Sequence, residues 1–312
     1  TCTGAGTVIG IIESNATAGT TANIYNNIIG RLYAPNSGFF QAVRGINLAS
    51  TVANTANVYY NTVYLDGNCP GNSYGAYINS TVPTFNLRNN IIINNAVATG
   101  GLEQIGVFII GALTAQYATT SNNNIIYAGT PGALHLIYGD GAAGAITNPQ
   151  QTLAAFQAFV GPTRENVSKT ENTPFVNSTN GAAANYLHIN SNTTQAESGA
   201  ANIVTYTDDY DGNIRQGNGG YIGTGTAPDI GADEFEYSPT IDMGATTLVT
   251  PSVTGCRTTT ETVTIRITNY GGATIDFSVN NVTVSASATG PNTYSSSAVV
   301  NSGTLAQGAT LD

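Results

Sequence analysis

An asparagine that recurs four times, each time inside the same kind of apolar run, leaves this chain few ways to fold. The runs are residues 23–29 (N-I-Y-N-N-I-I), 57–63 (N-V-Y-Y-N-T-V), 86–92 (N-L-R-N-N-I-I) and, more loosely, 120–126 (T-S-N-N-N-I-I). Aligned on Asn27, Asn61, Asn90 and Asn124, they are spaced by 34, 29 and 34 residues. An apolar residue stands three before the asparagine in the first three runs (Ile24, Val58, Leu87) and two after it in all four (Ile29, Val63, Ile92, Ile126). Those positions are five apart, and a flat strand of period two cannot turn both toward one core. The chain therefore bends at the asparagine. Asn enters the left-handed region more readily than any residue but Gly, and its amide can bond to a like amide above or below. The pattern predicts a bent strand pair repeated once per turn of a coil, with a ladder of asparagines at the corner.

A second set of short strands keeps nearly the same period: Gly45-Ile46-Asn47-Leu48, Gly75-Ala76-Tyr77-Ile78, Gly106-Val107-Phe108-Ile109, and a fourth at Leu134-His135-Leu136-Ile137. Two ladders with one period of about thirty residues are the mark of a repeat architecture. No amphipathic helix separates the strands, which excludes βαβ units and helical solenoids. Coils stacked ~4.8 Å apart in a parallel β-solenoid are the expected fold. The loops between ladders, such as 34–38 and 67–73, vary in length and are rich in Gly, Pro, Ser and Asn, as befits segments outside a coil.

Composition narrows the partners. Of 312 residues only 8% are charged, the net charge is −10, and Lys169 is the single lysine. Polar surface must come from Asn, Thr, Ser and Gly, as is common in repetitive extracellular β proteins. Nucleic acid is not an expected partner, because phosphate binding needs clustered Lys and Arg. No apolar run reaches the ~20 residues of a membrane span. Cys2, Cys69 and Cys256 are an odd set without metal-ligand spacing, open to two readings: inert or singly bridged within the chain, or a bond between chains through Cys2 and Cys256.

From residue 148 the pattern changes. Leu153, Phe156 and either Phe159 or Val160 form a short helical face, predicting a helical cap at about 149–160. Then follow P-F-V-N (174–177), Y-L-H-I (186–189), D-D-Y-D-G-N-I-R (208–215) and P-D-I-G-A-D-E (228–234). These segments, with the Asn-Asn-Ile coils, resemble the right-handed parallel β-helix proteins secreted by Bacteroidota-type bacteria, distant relatives of the pectate-lyase superfold. The resemblance covers about residues 20–236. It implies a right-handed helix ending at about 236, in a secreted, surface-exposed protein of several domains.

Residues 237–312 read differently. Val263, Ile265 and Ile267 alternate with polar residues before Gly271-Gly272, and Ile275, Phe277, Val279, Val282 and Val284 extend the pattern. This resembles the immunoglobulin-like modules that follow such helices. A sandwich of that kind needs about seven strands, and the sequence supplies about five. Either the sequence is a piece of a longer one, or a strand donated by a neighbouring molecule completes the sandwich.

Chemistry has little to work with. A lyase or glycosidase needs paired carboxylates, or a carboxylate-bound metal with a base. Residues 1–139 hold only Glu13, Asp66 and Glu103 as acids, in separate coils or loops, and Arg31, Arg44 and Arg88 lack an acidic cluster beside them. The densest set of oxygen ligands lies at 208–234. Asp209, Asp211 and Asn213 around Gly212 could hold Ca²⁺. The plainer expectation is that Arg215 pairs with a carboxylate such as Glu234 and the segment closes the helix end. His135 and His188, each flanked by apolar residues, have no second ligand nearby in sequence and read as outward-facing strand positions. Tyr25, Tyr59 and Tyr60 read as stacked aromatics, with a carbohydrate platform as the sharper alternative. Six Asn-x-Ser/Thr sequons, from Asn15 to Asn281, carry no weight if the source is bacterial, as the resemblance implies, and would mark surface loops in a eukaryotic protein.

The sequence thus predicts an all-β protein: a right-handed parallel β-helix of about five coils over 1–236, then an incomplete immunoglobulin-like sandwich over 237–312. The expected role is a non-enzymatic extracellular or cell-surface structural or adhesive protein without a required cofactor, self-assembling head to tail by strand donation. The alternative is a carbohydrate-active helix, either a polysaccharide lyase or a module that binds surface glycans.

Overall fold

In the computed structural model the chain divides into two compact units, residues 1–236 and 237–312. The structure describes residues 6–37, 41–79, 84–99, 101–112, 116–142, 144–190, 194–237, 239, 241–252, 254, 260–290 and 293–312. Cys2 and Cys256, and with them the disulfide between chains, lie outside the described residues. Cys69 is a buried free thiol.

The first unit winds as a parallel β-solenoid. Its first turn carries β1 (Val8–Glu13), β2 (Thr21–Tyr25) and β3 (Ile28–Gly30). The second carries β4 (Gln41–Leu48), β5 (Thr55–Tyr59), β6 (Thr62–Leu65) and the short β7 (Asn68–Cys69). The third has β8 (Asn72–Ile78), β9 (Thr84–Arg88), β10 (Ile91–Asn94) and β11 (Val97–Ala98), the fourth β12 (Gln104–Ile110) and β13 (Ile125–Tyr127). Three parallel ladders result: β1-β4-β8-β12-β14, with β14 at His135–Ala142; β2-β5-β9; and β3-β6-β10-β13. This makes about four turns rather than five. The fifth winding fails because β15 (Ala145–Ile146) folds back antiparallel on β14.

The helix α1 (Leu153–Val160) follows, its N-terminus capped by the Thr152 hydroxyl, which accepts from the Ala155 N–H at 3.2 Å. Leu153, Phe156 and Val160 are its buried face. Phe156 stacks between Tyr138 and Tyr117, with ring centroids 4.7 and 6.4 Å apart, so α1 covers the core where the last full turn would leave it open.

The corners explain the period. The residue just before each ladder asparagine has positive φ: Asn26 53°, Tyr60 53°, Asn89 59° and Asn123 57°. The left-handed residue is therefore one position earlier than the recurring asparagine, which corrects the expectation that the asparagine itself takes that conformation. The reversal turns Ile24, Val58 and Leu87 inward on one side, and Ile29, Val63, Ile92 and Ile126 inward on the other. Freed from making the bend, Asn61, Asn90 and Asn124 are buried with their amides stacked. Asn27 Nδ2 donates to Asn61 Oδ1 at 2.8 Å, Asn61 Nδ2 to Asn90 Oδ1 at 3.0 Å, and Asn90 Nδ2 to Asn124 Oδ1 at 3.0 Å. Each oxygen also accepts the backbone N–H of the preceding asparagine, at 3.2, 3.0 and 2.9 Å. The corner amides left unpaired by the bend are thus satisfied by side chains.

The chain of amides ends on a carboxylate. Asn124 Nδ2 donates to both oxygens of Glu165 at 3.1 and 3.0 Å, and Ser168, in the fifth rung's place, accepts the Asn124 N–H through its hydroxyl at 2.9 Å. Glu165 also accepts from the hydroxyls of Tyr117 and Ser168. Burial raises its carboxyl pKa against the pull of these donors.

The glycine stripe interlocks with this corner. A Cβ at Gly10, Gly45, Gly75 or Gly106 would collide with Ile29, Val63, Ile92 or Ile126 of the same turn. Glycine in one sheet is the hole that receives the β-branched residue of the other. The stripe stops at β14, whose register sets Ile105 opposite Leu136 and Val107 opposite Tyr138; Gly106 is faced by Ile137 and not by Leu134.

The second unit is antiparallel and holds seven strands among its described residues, where about five were expected. Strand β16 (Met243–Thr250) pairs β17 (Thr264–Asn269); β18 is Ile275–Asp276; β19 (Val282–Ala288) and β20 (Tyr294–Val300) form a hairpin. The short strands β21 (Thr304–Leu305) and β22 (Thr310–Leu311) pair β18 and β17. Its buried cluster is Ile275, Phe277 and Leu305. Val279, expected inside, is 77% exposed, because the chain turns after β18 instead of continuing as a strand.

Replacing Asn90 with Ala removes an acceptor from the Asn61 amide and side chain and a donor from Val58 O. A loss of about 3 kcal/mol is expected from these orphaned groups, against about 1 kcal/mol or less for Asn27→Ala at the solvated end of the ladder. Urea denaturation of the two variants checks the order; equal losses would contradict it.

Candidate functional site

The described residues of 172–236 do not close the end of the solenoid, contrary to expectation. They run back along its corner, because the left-handed residues turn their side chains and carbonyls outward and offer them as docking points. Asn123 Nδ2 donates to Gly199 O at 2.9 Å. Asn89 donates to Ala201 O at 2.8 Å and accepts from Ala201 N at 3.0 Å, and the Tyr60 hydroxyl donates to Ala201 O at 2.9 Å. Asn26 Nδ2 reaches Asp208 O at 2.7 Å. Further on, Gly231 N donates to Asn89 O at 2.9 Å and Ala232 N to the Thr62 hydroxyl at 2.9 Å. Tyr206 packs between Tyr25 and Tyr59, with centroids 4.4 and 5.5 Å apart. The segment is a strap bound to every turn.

Arg215 is the strap's fastening. It is fully buried and donates through all three guanidinium nitrogens: Nε to Asp208 O (3.0 Å), Nη1 to Glu234 Oε2 (3.3 Å), and Nη2 to Asn26 Oδ1 (3.1 Å), Gly231 O (3.0 Å) and Ala232 O (3.1 Å). Its Cζ lies 4.0 Å from the Tyr60 ring centroid. Desolvation lowers the Arg215 pKa and raises that of Glu234, outweighing their attraction. The neighbouring acids hold backbone. Asp229 accepts from Ser198 N and Phe235 N at 2.7 and 2.8 Å, and Glu234 from Gln216 N and Asp229 N, both at 2.9 Å. Burial pushes the Asp229 carboxyl up to about 8 and that of Asp233 up to about 6.

Asp209, Asp211 and Asn213 share one turn, but their oxygens are engaged separately. Asp209 accepts from the Asp211 and Asn213 amides at 2.8 Å each, from Asn213 Nδ2 at 3.2 Å and from the Glu234 amide at 2.9 Å. Its carboxylate organises the turn. Asp211 faces away, its Oδ2 lying 2.5 Å from His188 Nε2. His188 Nδ1 lies 3.1 Å from Tyr186 O, and Asp233 approaches from the third side: one ligand atom from each of His188, Asp211 and Asp233 lies within 4.8 Å of the others. The imidazole pKa is raised, the Asp211 and Asp233 carboxylates overcoming the burial that opposes them.

Sequence reasoning missed this grouping, since the partners of His188 come from separate segments; their one signal was the acid-rich stretch itself. His188 and Asp211 lie on the wall of a cleft of about 1010 Å³ lined also by Arg31, Asn180, Tyr186 and Tyr210, and Asp233 is buried behind them. His135 stays apart, its Nδ1 3.0 Å from Ala128 O.

Comparison of the chain with protein-family models, with curated proteins and with solved structures finds no match. Among the described residues no helix is long and apolar enough to cross a membrane. The architecture that stands is a parallel β-solenoid followed by an antiparallel β unit.

Two outcomes follow from the strap. Arg215→Ala leaves Glu234 buried without its partner and is expected to cost about 4 kcal/mol, as for other broken buried pairs; Arg215→Lys, which cannot fork, is expected to recover only part, both read by thermal or urea unfolding. The raised carboxyls set a pH dependence. Native Asp229 and Asp233 hold protons that the unfolded chain has lost, so stability is greatest below about pH 4 for these groups and falls as pH rises toward 8. Urea midpoints of the solenoid at pH 5, 6.5 and 8 check the sign; a midpoint that rises with pH would contradict it.

Proposed function

We propose that the chain is a non-enzymatic structural or adhesive protein of the cell exterior, assembled head to tail by strand donation. The observation that carries this reading is an apolar groove of about 310 Å³ on the second unit, lined by Val263, Ile265, Val284, Ala286, Tyr294 and Ala298. Tyr294 and Leu311 are 48% and 38% exposed. An added strand antiparallel to β17, with apolar residues at alternate positions, would bury this face and satisfy the edge. In this reading the unit is an immunoglobulin-like sandwich that accepts a further strand at this groove, and the solenoid, right-handed as the resemblance implies, is the rigid spacer. Asymmetric contacts of that kind propagate instead of closing. Secretion fits a surface built of Asn, Thr, Ser and Gly.

A second reading, a glycan-binding or glycan-cleaving solenoid, is favoured by the cleft beside His188, where Arg31 and Tyr210 offer a cation and an aromatic ring. A screen of acidic polysaccharides for binding and for new unsaturated ends, with and without chelator, separates the two.

The strand-donation reading expects concentration-dependent filaments of the native protein in cryo-electron microscopy, with a strand of one subunit lying along β17 of the next. Ile265→Asp in the groove is expected to abolish assembly while the solenoid unfolds at the wild-type urea midpoint. Monomers at high concentration, or filaments indifferent to Ile265→Asp, would contradict it.

A further inference from the structure

We propose that His188, Asp211 and Asp233 form a mononuclear site for a divalent transition ion of the zinc class, open to the cleft. Three separate parts of the strap bring the donors together: the Tyr186–Ile189 segment, the 208–213 turn and the 228–235 segment. The imidazole is set for the task. The Tyr186 carbonyl, 3.1 Å from Nδ1, holds a proton there, so an ion that displaces the Nε2 proton now shared with Asp211 at 2.5 Å would meet the Nε2 lone pair. Asp233 adds a second carboxylate from a separate segment. It is 5% exposed and is fixed in place by the Ile189 N–H, which donates to its Oδ2 at 2.7 Å.

The donor set selects the ion. One nitrogen and two carboxylates are too few, and the imidazole too soft, for Ca²⁺, which takes six to eight oxygens. They match the three-ligand zinc pattern, in which a fourth position stays open. Ligands of a tetrahedral ion with bonds of ~2.0–2.1 Å lie roughly 3.4 Å apart. The present separations, 2.5 Å for His188–Asp211 and at most 4.8 Å within the group, straddle that value. Asp211 must withdraw by about 1 Å to open the space. Its side chain is 39% exposed and is followed by Gly212 at φ 88°, so the turn gives it room. The fourth position would face the cleft near Tyr210 and Arg31. The site does not depend on the assembly reading: a monomer could hold the ion, and a filament could lack it.

Titration calorimetry of the full chain, reduced, with ZnCl₂ tests it, alongside CaCl₂ as the contrasting cation. One Zn²⁺ per chain is expected, with affinity reduced about tenfold or more by His188→Gln and by Asp233→Asn, and unchanged by His135→Ala. Calcium is expected to bind at least tenfold more weakly than zinc. Cobalt gives a readout independent of folding energetics: a visible d–d band of a low-symmetry N/O site in the wild type, lost in His188→Gln although its circular dichroism is unchanged. Stoichiometric zinc that His188→Gln leaves in place, no stoichiometric zinc in the wild type, or calcium binding more tightly than zinc would each overturn the site.

Discussion

Everything in the first unit hangs on one hydrogen-bonding problem, the corner between two strands of the same turn. A left-handed residue makes the corner and breaks the strand, so the next backbone N–H cannot pair in the usual register. The asparagine that follows solves this by giving its oxygen to the preceding asparagine's amide and side chain, and its own NH₂ to the next oxygen along and to a strand carbonyl. An amide side chain, carrying a donor and an acceptor in one plane, can do both. The result is a one-way chain of amides from Asn27 to Asn124. A one-way chain needs an acceptor at its far end, and Glu165 is that acceptor. Bonds in series polarise one another in a low-dielectric interior, so the carboxylate is the natural terminus.

The same corner also has an outer side. Because the left-handed residues Asn26, Tyr60, Asn89 and Asn123 face outward, each turn exposes polar groups at one edge, and the strap binds them in succession. Arg215 joins the strap's two halves to the first corner through Asn26. The acids of D-D-Y-D-G-N-I-R and P-D-I-G-A-D-E hold backbone amides and so shape the strap. Asp233, which holds the Ile189 amide, and Asp211 converge on His188. Structure and candidate chemistry therefore share a single device: carboxylates that would be costly to bury are kept in place by the amides they organise.

Much of this was legible because the corner imposes a strict pattern on the sequence. Apolar residues five apart around Asn27, Asn61 and Asn90 required a bend, and glycines at 45, 75 and 106 kept pace because each receives Val63, Ile92 or Ile126. The bend was placed one residue late, since Tyr60 stands among the left-handed residues and breaks any sequence rule written for Asn. The strap's course was not legible, as Ala201, Asp208 and Gly231 are held mainly through backbone atoms that leave no mark in side-chain identity. The His188 group escaped for a different reason: its ligands are brought together by strap folding, and nothing in local spacing announces it. In the second unit the alternation of Val263, Ile265 and Ile267 marked a strand, but only Ile267 is buried, so alternation overstated how closed that core is.

The ladder is tested most directly by native-state hydrogen exchange at the corner amides. The Asn61 and Asn90 N–H groups donate to side-chain oxygens, not to a neighbouring strand. They should exchange only through global unfolding of the solenoid, with protection equal to that of central strand amides such as Val63 and Ile92. Exchange of the Asn61 and Asn90 amides at the rate of the surrounding loops, with the strands still protected, would show that the amides do not form a continuous ladder and would contradict the account.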